Sequence, residues 1–344
     1  MEKNQGNLAP AITLMLMAPL LTEVLPGATR FSSIFVLPVE MCVWGGGALL
    51  IRYALRKYRL GWPSMVLMGL ALAIAEECLM QQTSLAPLVI RLKGQTYARA
   101  FGVNYVYFLW ALIYEPVFVV FLSIHLTELI YPSRRQLPWI TRSGMFVVIP
   151  LFILGSLLAW FTWTQIARIK VFHQPAYHPS AAAVIGALAA IILLLFTAFK
   201  IKGATPRVPA TASPLAASRP QALPRPLTPP SPWLLGVLGA IWAVLLYGIV
   251  LLGFGIDPDF PPLLAVAGAL ILLVLIPLLL LPRYTAHPAC SPRHQFGLIA
   301  GTIIGSMAAG QLGFIGATGP DLYFKIITNI LALMLLVLLG SRIK

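Results

Sequence analysis

Blocks of about 20 apolar residues, nearly free of charge, alternate along the chain with short clusters of Pro, Gly, Arg and Lys. The blocks read as 8–25, 32–55, 63–83, 103–131, 143–165, 181–199, 233–254, 261–282, 296–314 and 321–340. About 20 residues at a rise of about 1.5 Å each cross roughly 30 Å of hydrocarbon, so each block has the length of a membrane span. In lipid every backbone N–H and C=O must find its partner within the protein, and a single segment does this only as a helix. The pattern predicts an all-α polytopic transmembrane bundle of about ten spans.

Composition agrees and charge adds orientation. Hydrophobic residues make up 59% of the chain and charged ones 10%, against about 45–50% and about 25% in soluble domains. A net charge of +14 raises the question of nucleic acid, but the cations are spread through the gaps between spans rather than pooled in one patch, which argues for a lipid bilayer as partner and against nucleic acid. Counted by side, 17 Lys and Arg fall on the face of the N-terminus and 7 (Arg30, Arg91, Lys93, Arg99, Arg168, Lys170 and Lys325) on the other. The positive-inside rule then places both termini in the cytoplasm. The stretch 203–232 has 9 prolines in 30 residues and reads as an extended cytoplasmic linker. It divides the chain into a six-span part, 1–202, and a four-span part, 233–344. Cys42, Cys78 and Cys290 are isolated and suggest neither a disulfide framework nor a metal site.

Only ten residues are acidic, and six of them (Glu23, Glu40, Glu76, Glu77, Glu115 and Glu128) lie in or at the ends of the first four spans. A charged group at bilayer depth costs on the order of 2.5–3.5 kcal/mol even on lenient scales, and it normally faces the protein interior. At about 1.5 Å per residue, Glu40, Glu77 and Glu115 fall in the outer half of spans two to four, and Glu23 closes span one at the outer surface. Glu128 sits at the cytoplasmic end beside His125. Helical spacing sets Glu77, Gln81 and Ser84 on one face, with Glu76 turned away by about 100°. The same spacing aligns Asn104 with Glu115, beside which Pro116 frees a carbonyl and bends the helix. Glu40, Glu76, Glu77, Gln81, Asn104 and Glu115 are thus the candidate residues for binding protons, cations or a small substrate. Their alternative role is protonated, hydrogen-bonded glue between helices. The basic outer loop with Arg91, Lys93 and Arg99 is placed to fold over these carboxylates.

Two resemblances follow from these residues. Glu76-Glu77-x-x-x-Gln81 resembles the Glu-Glu-x-x-x-Arg motif of the CAAX-protease and bacteriocin-processing intramembrane proteases, in which a glutamate activates water with the help of later histidines. Here Gln81 stands at the arginine position, and the expected Phe-x-x-x-His is replaced by Ala111-x-x-x-Glu115. Ala75-Glu76-Glu77, Gly102-Val103-Asn104 and Tyr114-Glu115-Pro116, taken in order, are similar to an uncharacterised group of prokaryotic multi-pass membrane proteins carrying Glu-Glu, Gly-Val-Asn and Tyr-His. Glu115 takes the histidine position, so a metal site is not implied, and this resemblance brings no activity with it.

Gly297, Gly301 and Gly305 in span nine form a small-residue face of the kind that lets helix backbones approach closely. That face suits packing within the chain or a homo-oligomer seam. No nucleotide-binding loop is present, and no cofactor or metal is implied. The favoured reading is a transport or binding protein built on the carboxylate site. An intramembrane protease-like enzyme and a structural or accessory subunit are the alternatives.

Overall fold

The computed structural model describes residues 8–89, 99–201, 227–253 and 263–343. Over these the chain is all-α, interrupted only by a two-stranded antiparallel pair, Arg99–Ala100 with Val103–Asn104. The helices are α1 (Ala9–Val24), α2 (Phe31–Lys57), α3 (Trp62–Met80), α4 (Tyr105–Ile130) and α5 (Arg142–Val171). They continue with α6 (Ala181–Lys200), α7 (Pro232–Gly253), α8 (Leu263–Thr285), α9 (Pro292–Phe314) and α10 (Pro320–Arg342). Among the described residues nine of them, α2 to α10, are long and apolar enough to cross a membrane. This is the helix content of a polytopic membrane protein. The expected first span falls short, with 11 α-helical residues and five more in a wider turn. Most of the proline-rich stretch expected as a linker, 202–226, lies outside the described residues, and 227–231 run without regular structure into α7.

Burial is distributed opposite to hydropathy. Half or more of the most apolar stretch is buried in α2, α3 and α4, the helices carrying five of the glutamates, against 11% in α5, α6, α8 and α10. The outer helices present bare apolar side chains, such as Phe146 at 82% and Val337 at 72% exposure. In water that surface would be prohibitive; against acyl chains it costs nothing. The polar groups are therefore drawn to the centre.

The helices of the first half are not regular. α1 ends in a π-helical stretch, Leu20–Val24; α2 contains one at Met41–Gly45; α3 ends in one at Ala75–Met80; α4 contains one at Pro116–Leu122. Their bonds run from i+5 to i, as in Leu25 N–H to Leu20 C=O and Gln81 N–H to Glu76 C=O. Pro116 accounts for one of them, since it has no N–H to offer the preceding turn. Each of these four contains or directly follows a glutamate, whereas a fifth, Thr162–Val171 at the end of α5, has none; π-helical segments cluster at functional sites in general.

The two halves share an apolar core, in which Leu21, Val106, Ile113 and Phe118 meet Ala243, Leu246, Ile299 and Ile303. The glycines of α9 serve the pairing with α7. A Cβ added at Gly301 would lie 1.8 Å from the carbonyl oxygen of Gly236, and one at Gly297 would lie 2.1 Å from that of Pro232. At Gly305 the gap to Ala240 O would be 2.4 Å. This face is occupied by a helix of the same chain, so a homo-oligomer seam through these glycines would require α7 and α9 to part. At the end of α1, Lys325 of α10 is buried and donates to the carbonyl of Leu25, and Ser32 bonds Asp321 through both its N–H and its hydroxyl.

Gly301→Leu forces α7 and α9 apart, with an expected loss of about 1–3 kcal/mol or more. Gly268→Ala, where no atom lies within 4 Å of the new methyl, is expected to be neutral or stabilising. Thermal unfolding of the two variants in detergent measures both.

Candidate functional site

Five glutamates from four helices gather at one level. Glu76 accepts a hydrogen bond from the indole N–H of Trp44 at 2.5 Å and from Gln81 Nε2 at 3.0 Å. Its carboxyl is also in hydrogen-bonding contact with that of Glu115. Glu77 accepts from the hydroxyl of Ser84 at 2.7 Å, from the Ser84 N–H and from the Tyr107 hydroxyl. Glu40 accepts from Thr29 at 2.5 Å. Glu23 lies within electrostatic reach of Glu40, Glu76, Glu77 and Glu115. Glu40, Glu76, Glu77 and Glu115 are buried. Glu23 is half-buried, as are Tyr107, Trp110 and Tyr247, so this side of the cluster is its least enclosed. One oxygen each of Glu40 and Glu115 is buried with no hydrogen-bond partner.

No cation among the described residues forms an ion pair with this group. Among the described residues every ion pair with a glutamate belongs to Glu128. Ionised carboxylates only accept hydrogen bonds, so contact between the Glu76 and Glu115 carboxyls requires a proton between them. Two like charges at that distance in a low dielectric would repel strongly. The arrangement can hold a proton between Glu76 and Glu115, with Glu77, Glu23 and Glu40 within electrostatic reach. Among the described residues no three His, Cys, Asp or Glu side chains stand close enough to share a metal ion.

The sites expected from sequence are met in part, and the exceptions have one cause. Regular helical spacing puts Gln81 with Glu77 and turns Glu76 away. In the structure Gln81 bonds Glu76 instead, because residues 75–80 are π-helical and position i+5 replaces i+4 above each side chain. Ser84 does meet Glu77, but from the turn beyond the helix, where Gln82 has φ 60°. Asn104 is not aligned with Glu115, since α4 starts one residue later. Its amide is committed elsewhere, accepting from Arg99 at 2.8 Å and donating to the carbonyls of Thr83 and Ala86. Its backbone N–H bonds Ser84 C=O at 2.8 Å. Asn104 is therefore a positioning residue that holds the turn carrying Ser84. Arg99 also donates to Leu85 C=O rather than to a carboxylate; Arg91 and Lys93 lie outside the described residues.

Sequence reasoning passed over three contributors. Trp44 reads as an interfacial tryptophan, yet it is buried and serves Glu76. Tyr107 is one of many aromatics in its helix. Tyr247, from α7, donates to the Tyr114 hydroxyl at 3.0 Å, and Tyr114 donates to the carbonyl of Thr22 beside Glu23. A run of aromatics before Glu115 is the hint of Tyr107 and Tyr114, and Tyr247 has none.

Glu128 provides the contrast. It is 2% exposed and pairs with Arg52 at 3.2 Å, with Arg56, with Arg135 at 3.5 Å and with His125 at 3.5 Å. Arg52 is itself buried, stacks over Trp139 at 3.3 Å and donates to the carbonyls of Leu137 and Arg135. Glu128 is a structural counter-ion at the end of the bundle reached by the C-termini of α2 and α4. His125 is taken up in that network and does not reach the carboxylate cluster. No family model, curated protein or solved structure matches the chain.

The two kinds of glutamate respond differently to neutralisation. Glu128→Gln leaves Arg52 buried without its counter-charge, with an expected loss of about 3–5 kcal/mol. Glu115→Gln keeps a hydrogen bond to Glu76 and removes no ion pair, so the expected change stays within about 1 kcal/mol. Thermal or denaturant unfolding in detergent separates the two cases.

Proposed function

We propose that this chain crosses a prokaryotic cytoplasmic membrane ten times, the short α1 counted with the nine longer helices, with both termini in the cytoplasm, and that it binds and transfers protons through its carboxylate cluster. Transport or binding of a small substrate would be coupled to that proton. The observation that carries the reading is the Glu76–Glu115 contact, two buried carboxyls from separate helices with no ion-paired cation among the described residues. A group meant only to join helices needs no orphan acceptors, whereas a site that loads and releases protons keeps free ones, and Glu40 and Glu115 each retain one. On this reading Glu23, the half-buried member, is the port to water, Glu76 and Glu115 hold the proton, and Glu77 is the next acceptor. The charge bias of the loops places this port on the external side. Among the described residues no three metal-ligating side chains converge, which favours a proton over a divalent metal as the occupant.

Reconstitution into potassium-loaded liposomes with valinomycin and an internal pH dye tests this. A potential-driven proton flux is expected for the native protein, falling by about a hundredfold in Glu76→Gln and in Glu115→Gln. Native flux surviving both substitutions removes the pair from the mechanism.

A further inference from the structure

Away from the carboxylate cluster, a groove of ≈ 370 Å³ opens between the C-terminal end of α2, the start of α5 and the end of α6. Lys57 and Arg142 stand in its wall together with Tyr58, and Leu50, Phe146 and Phe199 extend it along the apolar height of the helices. Phe146 is 82% exposed and Phe199 48%, so the groove is open sideways on the surface that the outer helices turn to acyl chains.

Its charge is uncompensated. Glu128, the one acid described at this end of the bundle, is already engaged by Arg52, Arg56, Arg135 and His125. Lys57 and Arg142 are exposed and have no acidic partner among the described residues. The Lys57 ammonium instead lies 5.1 Å from the Tyr53 ring and 5.2 Å from that of Tyr58. Arg142 opens α5, where the first-turn N–H groups add positive potential. Two cations at helix ends, above an apolar cleft running into the span, match a molecule with an anionic head and a hydrocarbon tail.

We infer that this groove is a binding site for an anionic phospholipid, with Lys57 and Arg142 on the phosphate and Leu50, Phe146 and Phe199 along the upper part of one acyl chain. The volume is at the low end of the roughly 300–1,000 Å³ of ligand pockets; it admits the head and first methylenes of a chain while the rest stays in the bilayer. A soluble phosphate would use the cations but not the exposed phenyl rings. A zwitterionic lipid would use the rings but bring its own positive charge to Lys57 and Arg142.

The test is native mass spectrometry of the full chain in neutral detergent, with dioctanoyl phosphatidylglycerol or dioctanoyl phosphatidylcholine at equal concentration. The native protein is expected to retain phosphatidylglycerol preferentially. The double variant Lys57→Gln/Arg142→Gln is expected to lower that preference by about tenfold or more, and Arg283→Gln, which removes one charge elsewhere, is expected to leave it. Ala54→Trp, which fills the groove, is expected to abolish the retained lipid with unfolding temperature unchanged. Equal retention of the two lipids, a preference unchanged in the double variant, an equal loss in Arg283→Gln, or displacement by free glycerol 1-phosphate at the lipid's concentration each overturns the assignment.

Discussion

A carboxyl group buried without a counter-ion has two ways to lower its energy: to hold a proton, or to collect hydrogen-bond donors. The centre of this bundle uses both. Trp44, Gln81, Ser84, Tyr107 and Thr29 each supply a donor, and the contact between Glu76 and Glu115 is one that a proton held by either carboxyl would satisfy. The helices bend to that need. A regular helix points one side chain in four inward at a given level, whereas a π-helical turn shifts the phase by about one residue and frees carbonyls. Placing such turns in α1 to α4 lets neighbouring positions such as Glu76 and Glu77 both reach partners inside. The rest of the chain, apolar on its outside, keeps lipid around this centre.

Electrostatically the molecule has two regimes. At one end Glu128 is surrounded by cations and serves as a fixed counter-ion, an arrangement that resists change because removing either partner strands a buried charge. In the carboxylate cluster one oxygen each of Glu40 and Glu115 lacks a donor and no cation among the described residues pairs with the group, so occupancy by protons is the variable that the site can change. The C-terminal helices join the second regime rather than the first. Tyr247 bonds Tyr114, Tyr114 bonds the carbonyl before Glu23, and Lys325 caps the end of α1. Movement of α7 or α10 therefore acts directly on the backbone that carries Glu23.

Much of this was legible in the residues. Apolar block lengths give the helices, with α1 the exception because its apolar run includes the π-helical turn and ends at Pro26-Gly27. The concentration of scarce acids in the first four blocks gives the cluster, since the cost of a lone charge in lipid drives all of them to one interior. The small face of Gly297, Gly301 and Gly305 marks a close helix contact, although its partner α7 carries little signal beyond Gly236 and Gly239. Facing was not legible. It depends on the phase of each helix, and sequence periodicity assumes a constant phase that the π-helical turns break. Hence Gln81 pairs with Glu76 rather than Glu77. Asn104 was misjudged for a related reason, as its polarity serves a turn that precedes the helix, and Trp44 because indoles in membrane proteins usually mark the interface.

The shared proton is the claim on which the functional account stands, and infrared spectroscopy observes it directly. In purified native protein at neutral pH the carbonyl stretch of a protonated carboxyl is expected, and it should shift or vanish in Glu115→Gln while the amide bands of the helices stay in place. A native spectrum at neutral pH without any protonated-carboxyl band would mean that these glutamates are all ionised, and the paired arrangement described here would be contradicted.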